Sequence, residues 1–435
     1  MDKRAAADFL DGILREQKIE KYSYFLNQSE KQELNLENGG FKLMRTVFNN
    51  TTSVKVFNGT KMGSAGGNDM TEAGLRKLVD EARAAAESAS EDPCHDIAPD
   101  QGKELFRRGI YEPDMERFIE RIREFLDTAA KEYPEVRIMA GAGVFDRWNW
   151  ISRNTNGTEF EGIGGQYQFY IEICASDGER TTGLDYTGIT MKTLDRPLIE
   201  MGDFRRHLED IRRSIHPETL EGKFEGTVIL TPSSAMDFIY MTLGNYISDS
   251  VIINGTSLWL DKVGEQVADE KLTITLDPQD ERIVSGECGT ANGFRSEKVT
   301  LIEKGVLKTH WLSLYGANKT GRPVVKNTGS DLVVTPGDKT LEELIASVDK
   351  GLIIGYYSGG QPGTNGEFSG VAKNSFLIEN GKIAYPVSET MISGNMAEML
   401  NAIRGFSKET VCDGSSVLPY AAFDGVTVSG GAADE

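Results

Sequence analysis

The chain has 435 residues, 39% of them hydrophobic and 26% charged, and a formal net charge of −20. That length calls for two domains rather than one core, and no apolar run is long enough to span a bilayer, so no membrane partner is expected. So acidic a surface also argues against nucleic acid, whose binding draws on cationic groups that release phosphate counterions.

In chain order, the N-terminal segment reads as an amphipathic helix with Phe9, Leu10, Ile13 and Leu14 on one side, not as a cleaved leader. A strand follows around residues 54–57, closed by the turn pair Asn58-Gly59 and leading to Gly63, Gly66 and Gly67. Asp69 is placed to cap a helix with Glu72 as its reciprocal partner, and Leu75, Leu78, Val79, Ala82 and Ala86 follow at helical spacing. A second helix starts after Pro113, buries Phe118, Ile122, Phe125, Leu126 and Ala129, and stops at Pro134.

Strands are expected at residues 136–140 and 148–153, with a turn at Asn156-Gly157. Residues 166–175 alternate strictly, Tyr167, Phe169, Ile171 and Ile173 on one face and Gln166, Gln168 and Glu172 on the other, the pattern of a half-buried antiparallel strand. A charged helix over residues 205–213 puts His207 on a solvated face and leads through His216-Pro217 to a boundary near residue 222. The second part opens with a strand at 227–230 and a helix from Pro232 carrying Phe238, Ile239, Thr242, Leu243 and Tyr246. Short strands are then expected at 271–276, 281–284, 298–302, 306–312, 332–334, 374–378 and 382–385. The fold class is therefore α+β. Residues 1–222 form helices on a mixed or antiparallel sheet, and residues 223–435 form a β-rich, curved or barrel-like domain.

The four cysteines, Cys94, Cys174, Cys288 and Cys412, are far apart and form no CxxC pair, which suits a reducing, cytoplasmic setting. No two of the four histidines, His95, His207, His216 and His310, share a helical turn. His310 sits beside Trp311 on an expected strand and reads as core or cavity lining. Gly162-Ile163-Gly164-Gly165 and Gly359-Gly360 are glycine-rich, but neither joins a strand to a helix in a nucleotide-binding frame.

Residues 359–403 combine a glycine-dense segment, a β-rich run turned by Asn380-Gly381, and a helix capped after Ser393-Gly394-Asn395. With Gly255-Thr256-Ser257, Lys262-Val263-Gly264-Glu265-Gln266-Val267, Asn154-Thr155-Asn156-Gly157 and the closing Asp424-Gly425-Val426-Thr427, in this order, the chain resembles the TldD/PmbA (TldD/TldE) peptidase family. Some members carry the name "modulator of DNA gyrase". The resemblance implies a dimer in which one kind of subunit holds zinc on an HExxxH helix and the other does not.

Counted back from Gly255, that motif falls on Tyr240, Met241 and Asn245, with Gly244 keeping the family's glycine. A phenol, a thioether and an amide stand where two imidazoles and a carboxylate belong, and none is a good zinc ligand or base near neutral pH. Cys412, in the region of the family's cysteine ligand, lies seven residues before Pro419, a shorter interval than the ligand's. The resemblance therefore implies a TldE/PmbA-type subunit that binds no cofactor itself and carries no catalytic residue of its own. Its zinc would come from a TldD-type partner, with a homodimer as the other option, and its substrates are unstructured peptides.

The glycines of the signature segment, Gly359, Gly360, Gly363, Gly366 and Gly370, with Asn365, have two readings: tight turns in a β-domain, or a long loop against which a peptide backbone lies. Two further readings of the whole chain stand beside this one. The first is a stand-alone metallopeptidase using a non-standard site around Cys412 or His310. The second is a protein-binding regulator without enzymatic activity.

Overall fold

The computed structural model describes residues 1–431 apart from Ser330 and Glu389. Helices and two separate sheets make it an α+β protein, and among the described residues no helix is long and apolar enough to cross a membrane.

The first sheet has seven strands built around four very long ones, Lys21–Glu37, Gly40–Asn58, Val136–Asn154 and Glu159–Ala175. Lys61–Gly67 borders Gly40–Asn58, and Glu159–Ala175 borders Val136–Asn154. Lys103–Gly109 runs parallel to one end of Glu159–Ala175, and Asp185–Met191 runs antiparallel to its other end. The stretches expected at 136–140 and 148–153 are thus one strand.

Parity sets the two faces, because Lys21–Glu37 pairs with Val136–Asn154 without a slip. Tyr22, Tyr24 and Leu26 point to one side, where helices Lys3–Glu16 and Glu72–Ser88 bury Leu10, Ile13, Leu75 and Val79 against them. Further along the same face, helices Met115–Glu132 and Phe204–Arg213 cover the sheet. There the Phe125 ring lies 5.0 Å from Phe169 and 5.1 Å from Phe204. Each such fully buried ring contributes about 2–3 kcal/mol. Ser23 and Phe25 point to the opposite side, which carries no helix and faces the rest of the chain.

Local chemistry corrects some expectations. The cap of Glu72–Ser88 is Thr71, whose Oγ1 accepts the Gly74 N–H at 3.1 Å, while Asp69 accepts the Thr71 N–H one turn earlier. His207 is not on a solvated face but 6% exposed, its Nδ1 2.6 Å from Asp185 and its Nε2 3.2 Å from Asp203. The strand expected at 281–284 is a turn, because Asp280 accepts the Arg282 N–H at 3.0 Å. The stretches 271–276 and 306–312 keep only Ile274–Leu276 and Val306–Leu307 as strand.

The second sheet has 14 strands and is open, from Val306–Leu307 at one end to Glu218–Thr219 at the other. Val417–Ser429 is its spine: it pairs with Leu332–Val334, Lys223–Leu230, Thr390–Asn395 and Ile403–Cys412 along its length. Helix Pro232–Tyr246, started by Thr231 as cap and proline at its first turn, packs Phe238, Leu243 and Tyr246 into the core of this sheet. That packing fixes the rotation of the helix and hence where its other side chains point.

Candidate functional site

On helix Pro232–Tyr246 the three positions of interest are engaged in structure. The half-buried Tyr240 hydroxyl donates to the Gly329 carbonyl at 2.9 Å. Burial, with Asp331 and Asp413 nearby, pushes that phenol up to about 12, so it remains protonated. Met241 packs against the core of the second sheet. Asn245 donates its amide to the Gly363 carbonyl at 3.1 Å. The donor set does not fit zinc: no imidazole or carboxylate stands at any of the three positions. Among the described residues, no group of three or more His, Cys, Asp or Glu side chains is placed to hold a metal ion.

The Asn245 contact joins helix Pro232–Tyr246 to the glycine stretch. The latter is a hairpin, not one long loop: Tyr356–Gly359 pairs with Glu367–Lys373, with Gly359 opposite Gly370. A Cβ on Gly370 would stand 2.5 Å from the Tyr357 ring, and one on Gly359 would stand 2.2 Å from the Tyr357 hydroxyl. The two glycines make room for that ring. Gly366 has φ +88, and a Cβ there would stand 2.4 Å from the Tyr246 hydroxyl. Asn365 Oδ1 accepts the Glu367 N–H at 3.2 Å, and its carbonyl accepts from Asn395, the cap of helix Met396–Asn401. Gly360 and Gly363 are exposed, and no atom lies within 4 Å of a Cβ built on Gly360. Tyr356–Gly359 has a partner strand on one side only among the described residues.

Cys412 and His310 are not brought into one site. Cys412 Sγ donates to the Arg282 carbonyl at 3.3 Å, and burial pushes its thiol up. His310 is 2% exposed with Nε2 3.0 Å from the Trp259 carbonyl, a core residue. His216 pairs with Asp177 at 2.7 Å on the surface, and His95 stacks on Tyr315 with centroids 4.5 Å apart.

Sequence reasoning missed a partly open cavity of about 620 Å³ between the helix-free face of the first sheet and residues 284–291 and 328. Its volume is in the range of small-molecule and peptide pockets, roughly 300–1,000 Å³. Trp148 lies opposite Gly164 and Trp150 opposite Gly162, and a Cβ on Gly162 would stand 2.1 Å from the Trp150 ring. These glycines let the indoles lie flat on the neighbouring strand. The paired spacing Trp148-x-Trp150 and Gly162-x-Gly164 was the available signal. Gln166, expected on the polar face, is buried at 8% exposed and lines this cavity.

The cavity also borders the loop held by Tyr240. Glu287, in its wall, accepts from Ser296 Oγ at 2.8 Å and from the Thr328 N–H at 3.0 Å. Behind it the Glu287 N–H reaches the Asp331 carboxylate at 3.2 Å. Burial raises Asp331 to about 6.

Comparison with known proteins agrees with this architecture. Residues 222–430 match the PmbA/TldA metallopeptidase C-terminal domain and residues 24–86 match PmbA/TldA metallopeptidase domain 1, which defines a metallopeptidase-like α+β protein. A metalloprotease of Methanocaldococcus jannaschii is 25% identical over 419 residues, 88% of this chain and 89% of that protein. The metalloprotease PmbA of Escherichia coli is 26% identical over 371 residues, 80% of this chain and 78% of that protein. Among solved structures, TldE from Thermococcus kodakarensis superposes with a TM-score of 0.80 at 20% identity, covering 97% of this chain and all of that one. A Bacteroides thetaiotaomicron protein described as a modulator of DNA gyrase gives 0.84 at 21% identity, with 98% of each chain covered. The chain belongs to the PmbA/TldD family.

Proposed function

We propose that this chain is a TldE/PmbA-type subunit: it handles unstructured peptides and leaves the metal to a TldD-type partner. The observation that carries this is helix Pro232–Tyr246, where Tyr240, Met241 and Asn245 occupy the motif positions and each makes a structural contact. There the side chains bond residue 329 and the glycine hairpin and pack on the core, with no donor set turned toward a metal. The chain then contributes shape and peptide contacts, with the one-sided strand Tyr356–Gly359 as an edge on which an extended backbone can pair.

The test is peptide hydrolysis by the purified chain, alone and mixed with a TldD-type chain. This reading expects turnover only in the mixture. Chelator-sensitive hydrolysis by the chain alone overturns it.

A further inference from the structure

The helix-free face of the first sheet carries an unmet chemistry. Among the described residues three charged ones line its cavity, the cations Lys55 and Arg108 and the carboxylate Glu287, in a chain whose formal net charge is −20. Glu287 is satisfied by Ser296 and Thr328, and Arg108 donates to the Pro278 carbonyl at 2.6 Å. Lys55 makes no ion pair among the described residues, and burial alone acts on it, pushing its pKa down. An ammonium in that position gains from an anion brought in by a ligand.

Two amide oxygens add a second, independent sign. Gln166 Oε1 is buried without a hydrogen-bond partner at a residue 8% exposed, and it belongs to the cavity lining. Asn27 Oδ1, on the same sheet face opposite Trp150, is likewise buried and unpartnered. Buried acceptors without donors are costly, about 1–3 kcal/mol each, so both oxygens gain from N–H groups brought in by a ligand. Between them lies an apolar floor: the Trp150 ring has Phe25 at 5.7 Å and Phe106 at 6.1 Å.

An anion, N–H donors and an apolar side chain meet in one ligand class. The geometry points to this cavity as a seat for the free carboxylate end of a peptide: Lys55 pairs the carboxylate, Gln166 accepts a backbone N–H, and the Trp148–Trp150 floor takes an apolar side chain. This inference rests on the peptide-handling reading above and adds to it a polarity for the bound chain. Lys55 here is a binding residue with no part in bond cleavage.

The experiment is affinity selection on the full chain with a randomised heptapeptide pool, synthesised once with free C-terminal carboxylates and once as C-terminal amides, read by mass spectrometry. Wild type is expected to retain the free-carboxylate pool at least tenfold over the amide pool. Lys55→Met abolishes that preference and Lys55→Arg restores part of it. Melting temperature identifies a Lys55→Met chain that has failed to fold, in which case Gln166→Leu, expected to weaken retention of both pools, serves as the second variant. If wild type retains both pools equally, the carboxylate seat is overturned while peptide handling survives. If the pools are distinguished equally by wild type and a folded Lys55→Met chain, Lys55 is not the seat. Retention of neither pool overturns both readings.

Discussion

The Tyr240 hydroxyl reaches across to residue 329, and through it the loop that carries Asp331 is tied to the degenerate helix. Removing one such bond, with the Gly329 carbonyl left buried, costs about 1–2 kcal/mol. Tyr240→Phe is therefore expected to lower the unfolding free energy in urea by that amount; an unchanged midpoint contradicts a structural role for the phenol.

Asp331, fully buried, is a second test at this scale. Burial raises its folded pKa from 3.8 to about 6, so the folded state binds the extra proton between those values. Stability then falls as pH rises through that window, by roughly 2–3 kcal/mol in total. The difference between wild type and Asp331→Asn should shift in favour of the variant between about pH 4.5 and about pH 7. A pH-independent difference places the titration elsewhere.

Among the elements, the glycine hairpin and the helix Phe204–Arg213 are the most sensitive. Gly370→Ala places a Cβ 2.5 Å from the Tyr357 ring and 2.7 Å from the Gly359 Cα. Such overpacking costs about 1–3 kcal/mol, readable as a lower melting temperature; a neutral substitution shows that Tyr357 can move aside.

In Phe204–Arg213, burial and Arg206 push His207 down, but its hydrogen bonds with Asp185 and Asp203 outweigh them, and the net shift is upward from 6.5. A raised folded pKa gives stability that is fully present below the unfolded value and is lost as pH rises through the folded one. The destabilisation caused by His207→Asn should thus be larger at about pH 6 than at about pH 9; the reverse order contradicts the charged-histidine reading.

The helix Glu72–Ser88 was legible because its apolar spacing matches one buried face: Leu75, Leu78, Val79, Ala82 and Ala86 are all buried as the period requires, whereas the short helices Asp249–Ile253, Leu314–Thr320 and Leu341–Ala346 were not expected. His207 was misplaced because the charges of its helix drew the reading, although Phe204, Leu208 and Ile211 mark the buried face on which it lies. Gln166 was misplaced for a related reason. Alternation identifies two faces of a strand, but it cannot say that the polar one lines a cavity rather than bulk water.

At the scale of the whole molecule, the first sheet uses one face for its core and offers the other to residues 284–291 and 328, so the cavity takes its walls from both halves of the chain. The family was readable from motif order. The cavity was not, because its walls come from segments more than a hundred residues apart, around Lys55, Gln166 and Glu287.

The central claim is that this chain offers no site for the metal its family is named for. The most direct test equilibrates the purified chain with zinc, removes unbound ion by gel filtration, and measures zinc per chain by elemental mass spectrometry. The account predicts zinc far below one ion per chain, unchanged in Cys412→Ser. Near-stoichiometric zinc, lost on substitution of Cys412 or His310, would contradict it.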